Sequence, residues 1–240
     1  MNSRAANHPS LRGERAAIKS RGLALAFRSI AFIIILAGIA RISGIFTSSP
    51  AWKSFLFYTV QSNLLCLAWI GILIWWTARD IRRSGVHGTS TPSARFGGAV
   101  MLAITVTMLI YLVVLVPISF QQAGDYVPFS LTDNLIHIIT PCLLILDWLL
   151  FSPKGSFRWS DPLLWALIPI AYLAFAFTYG GLGGEFYPGA RYPYPFMNIE
   201  ALGLSGVALW LAGLAVALIA VGYVYVAADR VMGRDRAKME

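Results

Sequence analysis

The chain has 240 residues, 58% hydrophobic and 12% charged, with a net charge of +8. Its mean hydropathy is +0.67. These values exclude an ordinary soluble domain and place the chain among polytopic membrane proteins. The positive charge does not mark a nucleic-acid binder, because almost all Lys and Arg lie in the tails and in two loops, as orientation signals do.

Residues 1–22 carry Arg4, Arg12, Arg15, Lys19 and Arg21 among polar residues and read as a disordered basic tail. Apolar runs follow at Leu23–Phe46, Ser54–Thr77, Gly97–Phe120, Leu131–Phe151, Pro162–Tyr179 and Ile199–Ala227. Each is long enough to cross a bilayer. The expected fold is all-α, a six-transmembrane-helix bundle over residues 23–227, followed by a second basic tail at 228–240. Arg28, in the first turns of span one, is expected to snorkel to the interface. Further basic residues lie after span two (Arg79, Arg82, Arg83, Arg95), after span four (Lys154, Arg158) and in the C-terminal tail. The other loops offer Lys53 and Arg191. All the basic segments share one side if both termini are cytoplasmic. Cys66 and Cys142 both fall within apolar runs, which argues against a disulfide framework.

Two polar clusters interrupt the apolar runs. In span two, Thr59, Ser62, Asn63 and Cys66 recur at helical spacing on one face, while Gln61 points elsewhere. In span four, Asp133, His137 and Thr140 do the same, with Asn134 beside them. Thr59 and His137 each lie six residues into a span, about 9 Å along the helix from its outer end. Arg41 and Glu200 fall in the same outer half, so the polar residues point to one cavity. Pro141, four residues after His137, is expected to kink the helix and free the His137 carbonyl. The loop Gly180–Met197 is rich in Gly, Pro and aromatic residues and reads either as an interfacial belt or as a lid.

A Thr beside a His has the parts of an activated nucleophile. Asp133 or Asn134 would orient the imidazole, and Asn63 or Asn134 would donate to a developing oxyanion. Each residue also has a structural reading: Thr bonds its own backbone, an intramembrane His bonds across helices, and Arg41 snorkels. Intramembrane ionisable residues also mark ion and solute pathways, so a small-solute transporter and a non-catalytic sensor or scaffold stand beside the enzyme reading. The chain has no GxSxG elbow and no HExxH pair, and His8 and His87 lie in polar segments.

Three short motifs carry a family resemblance: Phe57-Tyr58-Thr59 opening span two, Asn134-Leu-Ile-His137 followed by Pro141, and Tyr194-Pro195-Phe196 before span six. Together they resemble the androgen-induced membrane hydrolases, which include the androgen-dependent TFPI-regulating protein, and their bacterial six-pass relatives. The resemblance covers about Leu23 to Ala227. It implies a Thr nucleophile at Thr59, a His base at His137 and a substrate among fatty acid esters of hydroxy fatty acids. It also implies a bacterial cell-membrane location and no metal or organic cofactor. Arg41, Asn63, Asp133, Asn134 and Glu200 are supporting or substrate-binding candidates from the residues alone. Arg41 is the expected clamp for a substrate carboxylate. The chain departs from the bacterial pattern at Met197-Asn198, where an acid is expected.

Overall fold

A computed structural model describes residues 16–119 and 128–237. It contains six helices long and apolar enough to span a membrane: α1 (Arg21–Ser43), α2 (Tyr58–Ser84), α3 (Ala94–Ile118), α4 (Leu131–Phe151), α5 (Asp161–Gly181) and α6 (Ile199–Ala237). The chain is an all-α, multi-pass integral membrane protein. Residue 120, which the sequence places at the end of span three, and most of the loop after it lie outside the described residues.

The apolar runs become helices because only a hydrogen-bonded backbone is tolerated in hydrocarbon. Their ends follow local chemistry. Gly44 takes a left-handed conformation (φ 59°) and its N–H closes α1 on Arg41 O. Ser93 Oγ accepts from Phe96 N–H at the start of α3. Asn198 Oδ1 accepts from the N–H groups of Glu200 and Ala201. The position where an acid was expected is therefore the cap of α6. Gly203 (φ 66°, ψ 170°) then breaks α6 one turn later.

Two spans change register in the same way. α3 has a π-helical turn at Tyr111–Leu115, and α4 has one at Asn134–Ile139. In α3 the last wide bond runs from Val116 N–H to Tyr111 O, and Pro117 follows. In α4 it runs from Thr140 N–H to Leu135 O, and Pro141 follows. In this register the carbonyl that loses its donor to Pro141 is that of Ile136, not His137 as the sequence suggested. Asn63 Nδ2 on α2 donates to it at 3.0 Å, so that carbonyl keeps a partner.

At the opposite end of the bundle Arg28 does not snorkel. It is fully buried and makes a two-pronged pair with Asp147 (Nε to Oδ1 2.7 Å, Nη2 to Oδ2 3.2 Å). Its Nη1 donates to Thr77 Oγ1 and Ser90 O, tying α1, α2, α4 and the α2–α3 loop together. An arginine buried in hydrocarbon is tolerable only when its donors are occupied in this way.

Both tails are shorter than the sequence indicated. Ile18 N–H donates to Leu150 O, Gly88 N–H to Lys19 O and Arg21 N–H to Val86 O, so residues 16–21 are docked rather than disordered. α6 continues through residue 228 to Ala237, and its Asp229 is buried and accepts from Phe157 N–H.

Candidate active site

α2 starts at Tyr58, because residues 52–56 form a separate 3-10 turn and Phe57 is extended. Thr59 is therefore the second helical residue, not the sixth residue into a span. The first N–H groups of a helix have no partner within it. Phe57 offers no side-chain cap. Two tyrosines from elsewhere pack at this end. The Tyr172 hydroxyl donates to Leu56 O at 3.2 Å. Tyr194 lines the same cavity as Thr59, with its phenol beside the Thr59 backbone and hydroxyl.

On its other side Thr59 Oγ1 lies 3.4 Å from His137 Nε2. His137 Nδ1 is 3.2 Å from Asp133 O. A carbonyl only accepts, so Nδ1 carries the proton and donates to it. The neutral ring then presents the Nε2 lone pair to the Thr59 hydroxyl. Tyr111 stacks on the imidazole, with centroids 4.1 Å apart and planes 10° from parallel. The two π-helical turns supply the stacked pair, Tyr111 from α3 and His137 from α4. Such turns are rare and recur at functional sites.

Asp133 orients the imidazole chiefly through its backbone. Its carboxylate Oδ2 accepts from Ser130 Oγ at 2.8 Å, and Oδ1 stays 3.9 Å from His137 Nδ1. Ser130 Oγ in turn accepts from Asp133 N–H, which is an N-terminal cap on α4.

The pair opens into a cavity of about 630 Å³, lined on its polar side by Lys53, Ser54, Thr59, Asp133, His137 and Tyr194. Phe57, Phe186 and Tyr187 form an aromatic cover, with Phe57 5.0 Å from Tyr187 and 5.6 Å from Phe186. The loop that supplies the last two returns against Gly180, where a Cβ would sit 2.4 Å from Arg191 O. Burial pushes the Tyr194 phenol up to about 12, so it remains a donor at neutral pH.

Of the residues singled out in the sequence, the structure brings Thr59, His137 and Asp133 together. Asn63 is fully buried behind them, and Nδ2 donates to Thr59 O (2.7 Å) and Ile136 O (3.0 Å). With both N–H bonds used, it has none for an oxyanion. Asn134 Nδ2 donates to Phe129 O at 2.8 Å. It stabilises Phe129, which has φ 65°, a strained value for a non-glycine residue. Arg41 is exposed and donates to Thr132 Oγ1 (3.2 Å), and Glu200 is exposed at the start of α6. Arg41, Asn134 and Glu200 do not line the cavity. Lys53 is the basic residue at its rim.

Sequence reading missed the roles of Tyr111, Tyr194 and Lys53. Only Tyr194 had a signal, its place in the Tyr-Pro-Phe motif. Among the described residues no group of three or more His, Cys, Asp or Glu could hold a metal ion. Compared with protein-family models, curated proteins and solved structures, the chain matches none.

Proposed function

We propose that the chain is a lipid-ester hydrolase working within the membrane, with Thr59 as nucleophile and His137 as general base. The observation that carries this reading is the fixed tautomer. Asp133 O holds the Nδ1 proton, which leaves the Nε2 lone pair facing Thr59 Oγ1. The separation of 3.4 Å is a resting distance of the kind that tightens when substrate binds. The resemblance to the androgen-induced membrane hydrolases, carried by the motifs around Thr59, His137 and Tyr194, agrees with it.

Thr59 Oγ attacks the ester carbonyl as its proton passes to His137 Nε2. The carbonyl oxygen becomes an oxyanion stabilised by the Tyr194 hydroxyl and by the Thr59 N–H in the first turn of α2. As the tetrahedral intermediate collapses, the ester C–O bond breaks and the imidazolium returns its proton to the departing alkoxide. A water then gives a proton to His137 and attacks the acyl-threonine; as this second intermediate collapses, the bond from the acyl carbon to Thr59 Oγ breaks, His137 returns the proton to Oγ, and the acid leaves. Both termini lie on the cytoplasmic side in this reading, and the cavity opens to the opposite face. The membrane is that of a bacterial cell.

The decisive experiment is covalent labelling with a fluorophosphonate. A transporter or scaffold has no activated hydroxyl, so labelling that is lost in Thr59→Ala supports the hydrolase and no labelling of wild-type protein rejects it. Tyr194→Phe keeps the ring packing and removes the donor. It is expected to lower kcat about 100-fold with little change in KM, the usual range for one oxyanion donor. An unchanged kcat would restrict Tyr194 to packing at the start of α2. Lys53, in place of Arg41, is the group positioned for a substrate carboxylate. Lys53→Gln is expected to raise KM about two- to fivefold for esters that keep a free carboxylate, and not for neutral esters. Equal effects on both would remove that role.

A further inference from the structure

A second cavity of about 340 Å³ lies between α3, α5 and α6. Its walls are almost wholly hydrocarbon, among them Val113, Ile170, Leu173, Leu214 and Ala215. It is long: the lining runs from Val106 to Val114 on α3, from Ala166 to Leu173 on α5 and from Leu211 to Ile219 on α6, about 10–12 Å along each helix. A slot of this length lined by hydrocarbon suits an unbranched alkyl chain. Val113 and Ile170 at the slot are 69% and 52% exposed on the surface that faces the bilayer.

Its position relative to Thr59 separates it from an ordinary lipid-facing crevice. Three segments each turn one side to the polar cavity and the other to the slot. Phe57 and Thr59 face the cavity and Tyr58 the slot; Tyr111 and Leu115 face the cavity and Val114 the slot. Pro195 faces the cavity and Phe196 the slot, while Tyr194 lines both. The partition is one side chain thick at Tyr194, which lines the polar cavity with Thr59.

We propose that the slot binds the acyl chain of the substrate ester, with the ester group turned past Tyr194 to Thr59. This rests on the hydrolase reading. Ala215 is exposed on α6, so a larger side chain there fills the slot without disturbing buried packing. The test compares hydrolysis of a palmitoyl and a butyryl p-nitrophenyl ester by purified protein in liposomes. Ala215→Trp is expected to lower the long-to-short ratio of kcat/KM about tenfold or more, since each lost methylene contact costs about that much discrimination. Val216→Trp, on the same helix but outside the slot and 70% exposed, is expected to leave the ratio unchanged. An unchanged ratio in Ala215→Trp overturns the proposal.

A palmitate analogue with a diazirine in its tail gives an independent readout. Labelling of the slot-lining peptides of α3, α5 and α6, displaced by unlabelled palmitate, supports the site. Labelling elsewhere overturns it. Labelling by a diazirine phospholipid that palmitate does not displace identifies ordinary bilayer lipid and overturns the substrate assignment. If wild-type protein hydrolyses neither ester, the hydrolase reading fails and the labelling alone decides whether the slot takes an acyl chain.

Discussion

Thr59→Ala and His137→Ala are each expected to reduce ester hydrolysis about a thousandfold or more, and the double variant no further. The two side chains act as one unit, so removing either leaves the other without a task. Thr59→Ser keeps the hydroxyl and is expected to retain partial activity. It loses the β-methyl that narrows the rotamer choice, so the hydroxyl meets Nε2 less often. Both alanine variants are expected to fold, because each removes a polar group at a cavity wall rather than a packed apolar side chain. Size-exclusion chromatography of the purified variants checks this, and the same samples are assayed for hydrolysis. Full wild-type turnover in folded Thr59→Ala would end the nucleophile assignment and favour a solute-transport role for the cavity.

The largest expected effect on stability lies at the other end of the bundle. Arg28→Met is expected to destabilise the protein by about 3–5 kcal/mol, because Asp147, 3% exposed, is left without its cation. Asp147→Leu is expected to cost a similar amount by stranding the guanidinium. The double variant Arg28→Met/Asp147→Leu is expected to recover much of the loss, since a well-packed apolar pair replaces a buried ion pair at little net cost. Thermal denaturation in detergent, compared across the four proteins, measures this. Losses that simply add in the double variant would show that the two residues stabilise the fold independently.

The fold was legible because six long apolar runs leave few alternatives in a bilayer. That Thr59 and His137 belong to one cavity was legible from their shared outer half, although the residue count that set them level did not hold, since α2 starts only at Tyr58. Three things were not. Arg28 lies in the first turns of its span, where snorkelling is the usual outcome, and its carboxylate partner is 119 residues away. The π-helical turns depend on how Pro117 and Pro141 meet the wider hydrogen-bond register, which no apolar periodicity encodes. Tyr194 reads as an interfacial aromatic until the 3-10 turn at 52–56 delays the start of α2 and puts Thr59 at the mouth of the cavity that Tyr194 lines. Arg41 and Lys53 were exchanged in importance for a related reason. Both lie near the same end of the bundle, and only the path of that turn brings Lys53 to the cavity rim.

The wide turn at Asn134–Ile139 makes the spacing of α4 a matter of residue count as well as residue type. Such a turn accommodates one residue more than the regular helix on either side. Deleting one residue between His137 and Pro141 would allow the segment to relax to ordinary helical bonding, which keeps the flanking helix in register but re-aims the side chains inside the turn, His137 among them. His137 would leave Tyr111 and Thr59 and face another neighbour, although every side chain named in the reaction would still be in the chain. Length changes within this turn are therefore expected to be as damaging to activity as loss of His137 itself, while the same change in the exposed 84–88 loop would leave the register of every span intact.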